Sequence, residues 1–143
     1  MPRFVDDYLS YLLAAASARV STEFHAQLRP SGLSVPKWRV LATLSDGDAL
    51  SIGALARIVL IQQPTLTKLA SRMARAGLVE LATDGADRRR TLVRISASGR
   101  RAVRPLLRRA KAHERRCLSS YSAAEIAKVK AILRELLRRS RTQ

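Results

Sequence analysis

The stretch SIGALARIVLIQQPTLTKLASRMARAGLVELATDGADRRRTLVRI, residues 51–95, decides the fold. Ser51 supplies a hydroxyl cap for a short helix running from Ile52 to about Val59. Leu60-Ile61-Gln62-Gln63 then links it to a second helix. Pro64 fits the first turn of that helix, which runs to about Ala76 and stops at Gly77. Leu66, Leu69, Ala70 and Met73 recur at helical spacing and predict its buried face. Two β-prone runs follow, residues 78–82 and 91–95. The polar, turn-rich residues 83–90 between them predict a hairpin.

A short helix, a tight turn, a second helix and a hairpin with an arginine-rich tip form a winged helix-turn-helix pattern. In that motif the second helix enters the major groove of DNA, and the hairpin tip reaches the flanking backbone or the minor groove. The face opposite Leu66 carries Pro64, Lys68, Ser71 and Arg75, flanked by Thr65, Thr67 and Arg72. The helix begins at Gln62-Gln63. Glutamine can bond an adenine edge in bidentate fashion, and threonine offers a hydroxyl and a methyl. Lysine and arginine clamp phosphates. An ordinary solvated helix carries a similar face, so the attached hairpin decides for DNA. Its tip, Asp87-Arg88-Arg89-Arg90, projects three cations, which suit a narrow minor groove of enhanced negative potential. Asp87 can hold one of them by a salt bridge.

Working outward, residues 5–28 predict one long first helix. Its stripe is Val5, Tyr8, Leu9, Leu12, Leu13, Ala16, Val20, Phe24 and Leu28, and Pro30 and Gly32 end it. Ser34 caps a second helix with Pro36 in its first turn and Trp38, Val40, Leu41 and Leu44 inward. Asp46-Gly47-Asp48 is a turn. After the hairpin, Ser96 caps a fifth helix reaching about Ser119, in which Pro105 predicts a kink or a loosened ladder. Ser122 caps a sixth, with Glu125 completing a capping box. Its stripe is Ile126, Val129, Ile132, Leu133, Leu136 and Leu137. The predicted fold is mainly α with a small β-hairpin wing. Residues 1–33 form an N-terminal dimerisation helix, 34–95 the winged domain, and 96–143 the C-terminal dimerisation helices. The first, fifth and sixth helices carry stripes too wide for a small winged domain to cover, and such faces mark an interface. A two-fold dimer also places two recognition helices at half-sites about one DNA turn apart.

The 143 residues carry 27 Lys and Arg against 11 Asp and Glu, a net charge of +16. Residues 1–87 hold nine basic and eight acidic residues, a net of +1, whereas residues 88–143 hold eighteen and three, a net of +15. Nearly all the excess begins at the wing. It favours a polyanion as partner. On the fifth helix, Arg101, Arg104, Arg108, Lys111 and Arg115 fall on one stripe, and Val103, Leu106, Ala110, His113 and Cys117 on another. The apolar fraction, 47%, is too high for a disordered basic tail. The chain has no basic-then-apolar leader and no uncharged apolar run of membrane length, so a soluble, cytoplasmic protein without membrane contact is expected.

The run Leu55-Ala56, Gln63-Pro64-Thr65-Leu66-Thr67-Lys68-Leu69, Arg75-Ala76-Gly77-Leu78-Val79, Asp87-Arg88-Arg89 and Leu92-Val93-Arg94-Ile95-Ser96-Ala97-Ser98-Gly99 resembles the MarR family of bacterial transcription regulators. The similarity extends over essentially the whole chain. It implies a homodimer on a pseudo-palindromic operator in double-stranded DNA, usually acting as a repressor. It also implies a minor-groove contact by the wing arginine, Arg89 by position. Two departures stand out: Gln62 replaces a common Ser, weakening the cap, and an extra arginine leaves Arg88, Arg89 and Arg90 open for that role.

The resemblance further implies a small aromatic acid bound between the dimer helices and the DNA-binding lobe. Such a ligand needs an apolar wall and a cation for its carboxylate. Trp38 and Arg39 offer these, with Arg19 and His25 completing the set. Core packing of Trp38 and a surface role for Arg39 are the plainer alternatives. Two other functions compete: a nonspecific architectural nucleic-acid binder, on charge alone, and a redox-responsive regulator using the lone Cys117. A cysteine on an apolar stripe is more often a small buried hydrophobe. His113 and Cys117 sit four apart, a spacing that can share a metal, but two histidines and one cysteine are thin for a zinc site. No metal, cofactor or enzymatic activity is therefore expected, for no nucleophile–base pair or phosphate loop occurs.

Overall fold

The computed structural model describes residues 1–139. Six α-helices and three strands follow one another: α1 (Leu9–His25), α2 (Val35–Leu44), β1 (Leu50–Ser51), α3 (Ile52–Val59), α4 (Gln63–Arg75), β2 (Val79–Thr83), β3 (Thr91–Ile95), α5 (Ala97–Cys117) and α6 (Ala123–Arg139). The described chain divides into two units, Met1–Arg109 and a second beginning at Ala110.

The first unit holds the winged lobe. Both helix caps read from its sequence are present. Ser34 accepts from the Lys37 amide at 3.4 Å, and Ser51 from the Ala54 amide at 3.2 Å. Leu60 adopts φ 60°, and the Ile61 N–H donates to the Ala56 carbonyl at 3.2 Å, so the chain reverses tightly between α3 and α4. The left-handed region costs a leucine about 1 kcal/mol. Gly77, at φ 78°, ends α4 without that cost.

The sheet has three strands where two were expected. β1 pairs antiparallel with β3, Leu50 against Val93, and the order is β1-β3-β2. β2 and β3 form the hairpin, with Val79 opposite Ile95 and Thr83 opposite Thr91. β1 eluded the sequence because two residues show no alternation, and Ser51 reads equally as a helix cap.

Leu41, Leu55, Leu66, Met73 and Val93 are fully inaccessible and, with Val40, Leu44 and Val103, make one core beneath α4 and the sheet. Burying each such side chain contributes roughly 1.5–3 kcal/mol. The start of α5 is stitched to the hairpin. Ser96 donates a hydroxyl bond to the Gly77 carbonyl and accepts from the Gly99 amide at 3.0 Å. A Cβ at Gly99 would collide with the Leu78 carbonyl and lie 2.9 Å from Ile95 Cγ1, so only glycine permits this approach. Arg100 Nη1 donates to the Ser45 carbonyl at 3.2 Å, capping the end of α2. One arginine of the basic run is thus structural.

One further expectation needs correction. The first helix does not run through residues 5–28. A 3-10 turn, Phe4–Asp7, precedes it and Tyr8 is extended at φ −97°, ψ 114°. The Asp6 carboxylate accepts the Arg3 amide at 2.8 Å, a capping bond that closes this turn as a separate unit. At the other end Ala26–Ser31 tightens into a 3-10 helix. The residue before a proline disfavours the α conformation, which accounts for the change ahead of Pro30. α5 continues through Pro105. Buried Val103 and Leu106 hold the helix on either side of it.

The second unit is the end of α5 and α6. The capping box predicted for α6 is formed: Ser122 N–H donates to Glu125 Oε1 at 3.0 Å, and Glu125 N–H to Ser122 Oγ at 3.1 Å. The Ser122 backbone bond, then its hydroxyl bond, hold the Glu125 carboxyl below its ordinary value. Lys130 reaches Glu114 at 2.9 Å. No residue of α6 is buried.

Candidate nucleic-acid interface

α4 is oriented by its apolar face: Leu66, Leu69, Ala70 and Met73 are all buried. Amphipathicity then dictates what remains outside. Gln62, Gln63, Pro64, Thr65, Thr67, Lys68, Arg72 and Arg75 are exposed, and Ser71 is half-buried. Gln62 occupies the N-cap without a side-chain bond, as its replacement of a hydroxyl residue predicts. The Thr67 hydroxyl donates to the Gln63 carbonyl at 3.0 Å. Thr67, Lys68, Ser71, Arg72 and Arg75 line one surface hollow of about 520 Å³.

The wing tip is built by short local bonds. The Asp84 carboxylate accepts the Ala86 amide at 2.9 Å, and the Asp84 N–H donates to the Arg90 carbonyl at 2.9 Å. Asp87 accepts both the backbone amide of Arg89, at 3.1 Å, and its guanidinium Nε, at 3.3 Å. The Arg89 side chain is nonetheless 92% exposed. Arg90 leans on Asp84 at 3.9 Å. Arg88 is exposed and has no ion pair among the described residues. Asp87 thus holds one arginine in a defined, projecting position, the one at the Asp-x-Arg spacing. The tether of Arg90 to Asp84 was not read from the sequence, because six residues separate them until the hairpin closes.

Helix and wing converge. A cleft of about 630 Å³ is lined by Gln63, Pro64, Thr67 and Ser71 of α4, by Arg89 and Arg90 of the wing, and by Arg57 of α3. Arg57 was missed by sequence reasoning, which assigned α3 only a cap and bounds; its signal is a lone cation on an otherwise apolar eight-residue helix.

The four residues proposed for a small ligand are only partly gathered. Trp38 is half-buried and its ring tilts against Phe24, centroids 5.0 Å apart, which is core packing. Burial, and then the Arg39 guanidinium, push the His25 imidazole below its ordinary value. His25 lines a shallow cleft of about 410 Å³ with Arg29, Ser34 and Val35. Arg19 and Arg39 are exposed and do not line it. Farther along, Cys117 is half-buried, with Sγ 3.5 Å from His113 Nε2. Among the described residues, no helix is long and apolar enough to cross a membrane.

Residues 31–90 match the model described as MarR family. The crystal structure of a MarR family transcriptional regulator from Silicibacter pomeroyi is 41% identical, with a TM-score of 0.82 over 96% of this chain and 98% of that one. The transcriptional repressor IacR of Pseudomonas putida is 34% identical over 94 residues, which are 66% of this chain and 56% of the relative. BpsR of Bordetella bronchiseptica, whose DNA binding is regulated by 6-hydroxynicotinic acid, is 25% identical, with a TM-score of 0.78 over 95% of this chain and 97% of that one. The chain spans about half the length of the curated relatives it matches.

Proposed function

The chain belongs to the MarR family, and on that premise we propose that it is a homodimeric, sequence-specific DNA-binding transcription regulator, a repressor. The observation that carries this reading is the convergence of the exposed α4 face and the tethered wing arginines on one cleft. The α4 face reads base edges through Gln62, Gln63 and Thr65 and holds phosphates through Lys68, Arg72 and Arg75. Arg89, held out by Asp87, enters the minor groove. Residues 34–95 are the DNA-binding lobe, and the flanking helices form the dimer. That assembly is supported by α1, which exposes Leu9, Leu12 and Val20, and by α6, which exposes Val129, Ile132 and Leu137. Apolar faces of this kind are covered by a partner.

A small aromatic acid releases the repressor from its operator. The precedent is BpsR, and the local support is His25 beside Arg39. A ligand that favours a dimer spacing mismatched to the operator shifts the population away from DNA. A gel shift tests the main claim, with a palindromic fragment from the promoter nearest the gene as probe and scrambled duplex as competitor. Stronger competition by the unlabelled fragment is expected. Equal competition by both would make the protein a nonspecific nucleic-acid packer.

A further inference from the structure

We propose that Arg57 clamps a DNA backbone phosphate and so sets how α4 sits in the groove; this rests on the DNA-binding reading above. Two clefts flank the start of α4, and Gly53, Arg57 and Gln63 are the three residues that line both. They form the ridge between them. Gly53 and Arg57 lie four apart on α3 and so share a helix face. A Cβ at Gly53 would stand 2.8 Å from Gln63 Nε2, so the glycine lets the Gln63 carboxamide lie directly on α3. Arg57 stands one turn farther along that face. The start of the base-reading helix therefore rests against the same face of α3 that carries Arg57.

The electrostatics point to an anion. The cleft shared with the wing is lined by Arg57, Arg89 and Arg90, and no acidic residue lines it. Arg89 and Arg90 are each partly balanced by Asp87 and Asp84. Arg57 is exposed and has no ion pair among the described residues. A guanidinium binds phosphate in bidentate fashion, and the first helix of a helix-turn-helix crosses the DNA backbone, not the base edges. A phosphate contact positions the protein without reading sequence.

The test is fluorescence anisotropy with two duplexes over a salt series: one recovered from a random-sequence pool by the wild-type protein, the other its scrambled counterpart. Arg57→Ala should weaken both by the same factor, about tenfold. It should also flatten the slope of log K against log salt by about one for each half-site bound. Arg57→Lys should restore the slope and part of the affinity, since it keeps the charge and loses the fork. Circular dichroism confirms that each variant is folded. A loss confined to the selected duplex would make Arg57 a base reader and overturn the proposal. Unchanged affinity and slope would overturn it as well. Failure of the regulator reading looks different: the wild-type protein itself would bind both duplexes equally, or neither.

Discussion

α4 and α6 carry similar amphipathic patterns and meet opposite fates. α4 sets Leu66, Leu69, Ala70 and Met73 on one stripe and buries all of them. α6 sets Ile126, Val129, Ile132, Leu133, Leu136 and Leu137 on one stripe and buries none. The difference separates what one chain completes alone from what requires a second. In the winged lobe the chain supplies both sides of each contact, so the orientation of α4, and hence its exposed reading face, is settled within a monomer. In α6 the apolar stripe is left uncovered, as the proposed dimer requires.

Mutations that break this comparison should differ in kind. Leu66→Ala removes a fully buried side chain beneath α4, and a loss of about 2–5 kcal/mol in chemical denaturation is expected. Ile132 is 52% exposed. Ile132→Asp should leave the winged lobe folded, yet move the sedimentation equilibrium from dimer to monomer. If Ile132→Asp sediments as the wild type does, the dimer face lies elsewhere. Next in size is the wing. Asp87→Ala leaves the charge of Arg89 intact and frees its guanidinium, so affinity for the selected duplex should fall several-fold, in line with one charge-assisted hydrogen bond. An unchanged affinity would mean that the Asp87 tether does not place the contact.

The smallest effect concerns acid. The His25 pKa is lowered by burial and by Arg39, so the unfolded chain binds that proton more readily than the folded one. Stability from this group is full above the unfolded value of about 6.5 and is lost as pH falls through and below it. The melting temperature should drop modestly between about pH 7.5 and about pH 5, and His25→Gln should remove part of that slope. An identical slope in the variant would assign the proton uptake to another group.

The exposed α4 face and the wing were largely legible because their signals are local. The α4 stripe, the Ser34, Ser51 and Ser122 caps, Gly77 and the turn-rich wing each follow from a few adjacent residues, and each has its expected partner in the structure. What escaped was nonlocal or too short. β1 exists only because Leu50 finds Val93 across more than forty residues of chain. Arg57 joins the cleft only because α3 packs against the start of α4, where Gln63 lies on Gly53. The ends of α1 escaped for another reason. Its apolar stripe continues beyond the helix, while an Asp6 bond and Pro30 end the regular backbone.

The charge asymmetry gains a structural meaning from the same contrast. The chain through Asp87 is nearly neutral, so in the proposed complex recognition by α4 relies on hydrogen-bond geometry, whereas bulk attraction and steering come from the wing onward. Arg101, Arg104, Arg108, Lys111 and Arg115 are all exposed on α5 and supply that field. The salt dependence of wild-type binding to the pool-selected duplex tests this division most directly. Affinity should fall by about a thousandfold or more between roughly 50 and 200 mM salt, as for six or more phosphate contacts, while preference over the scrambled duplex persists. An affinity nearly flat in salt would contradict the account.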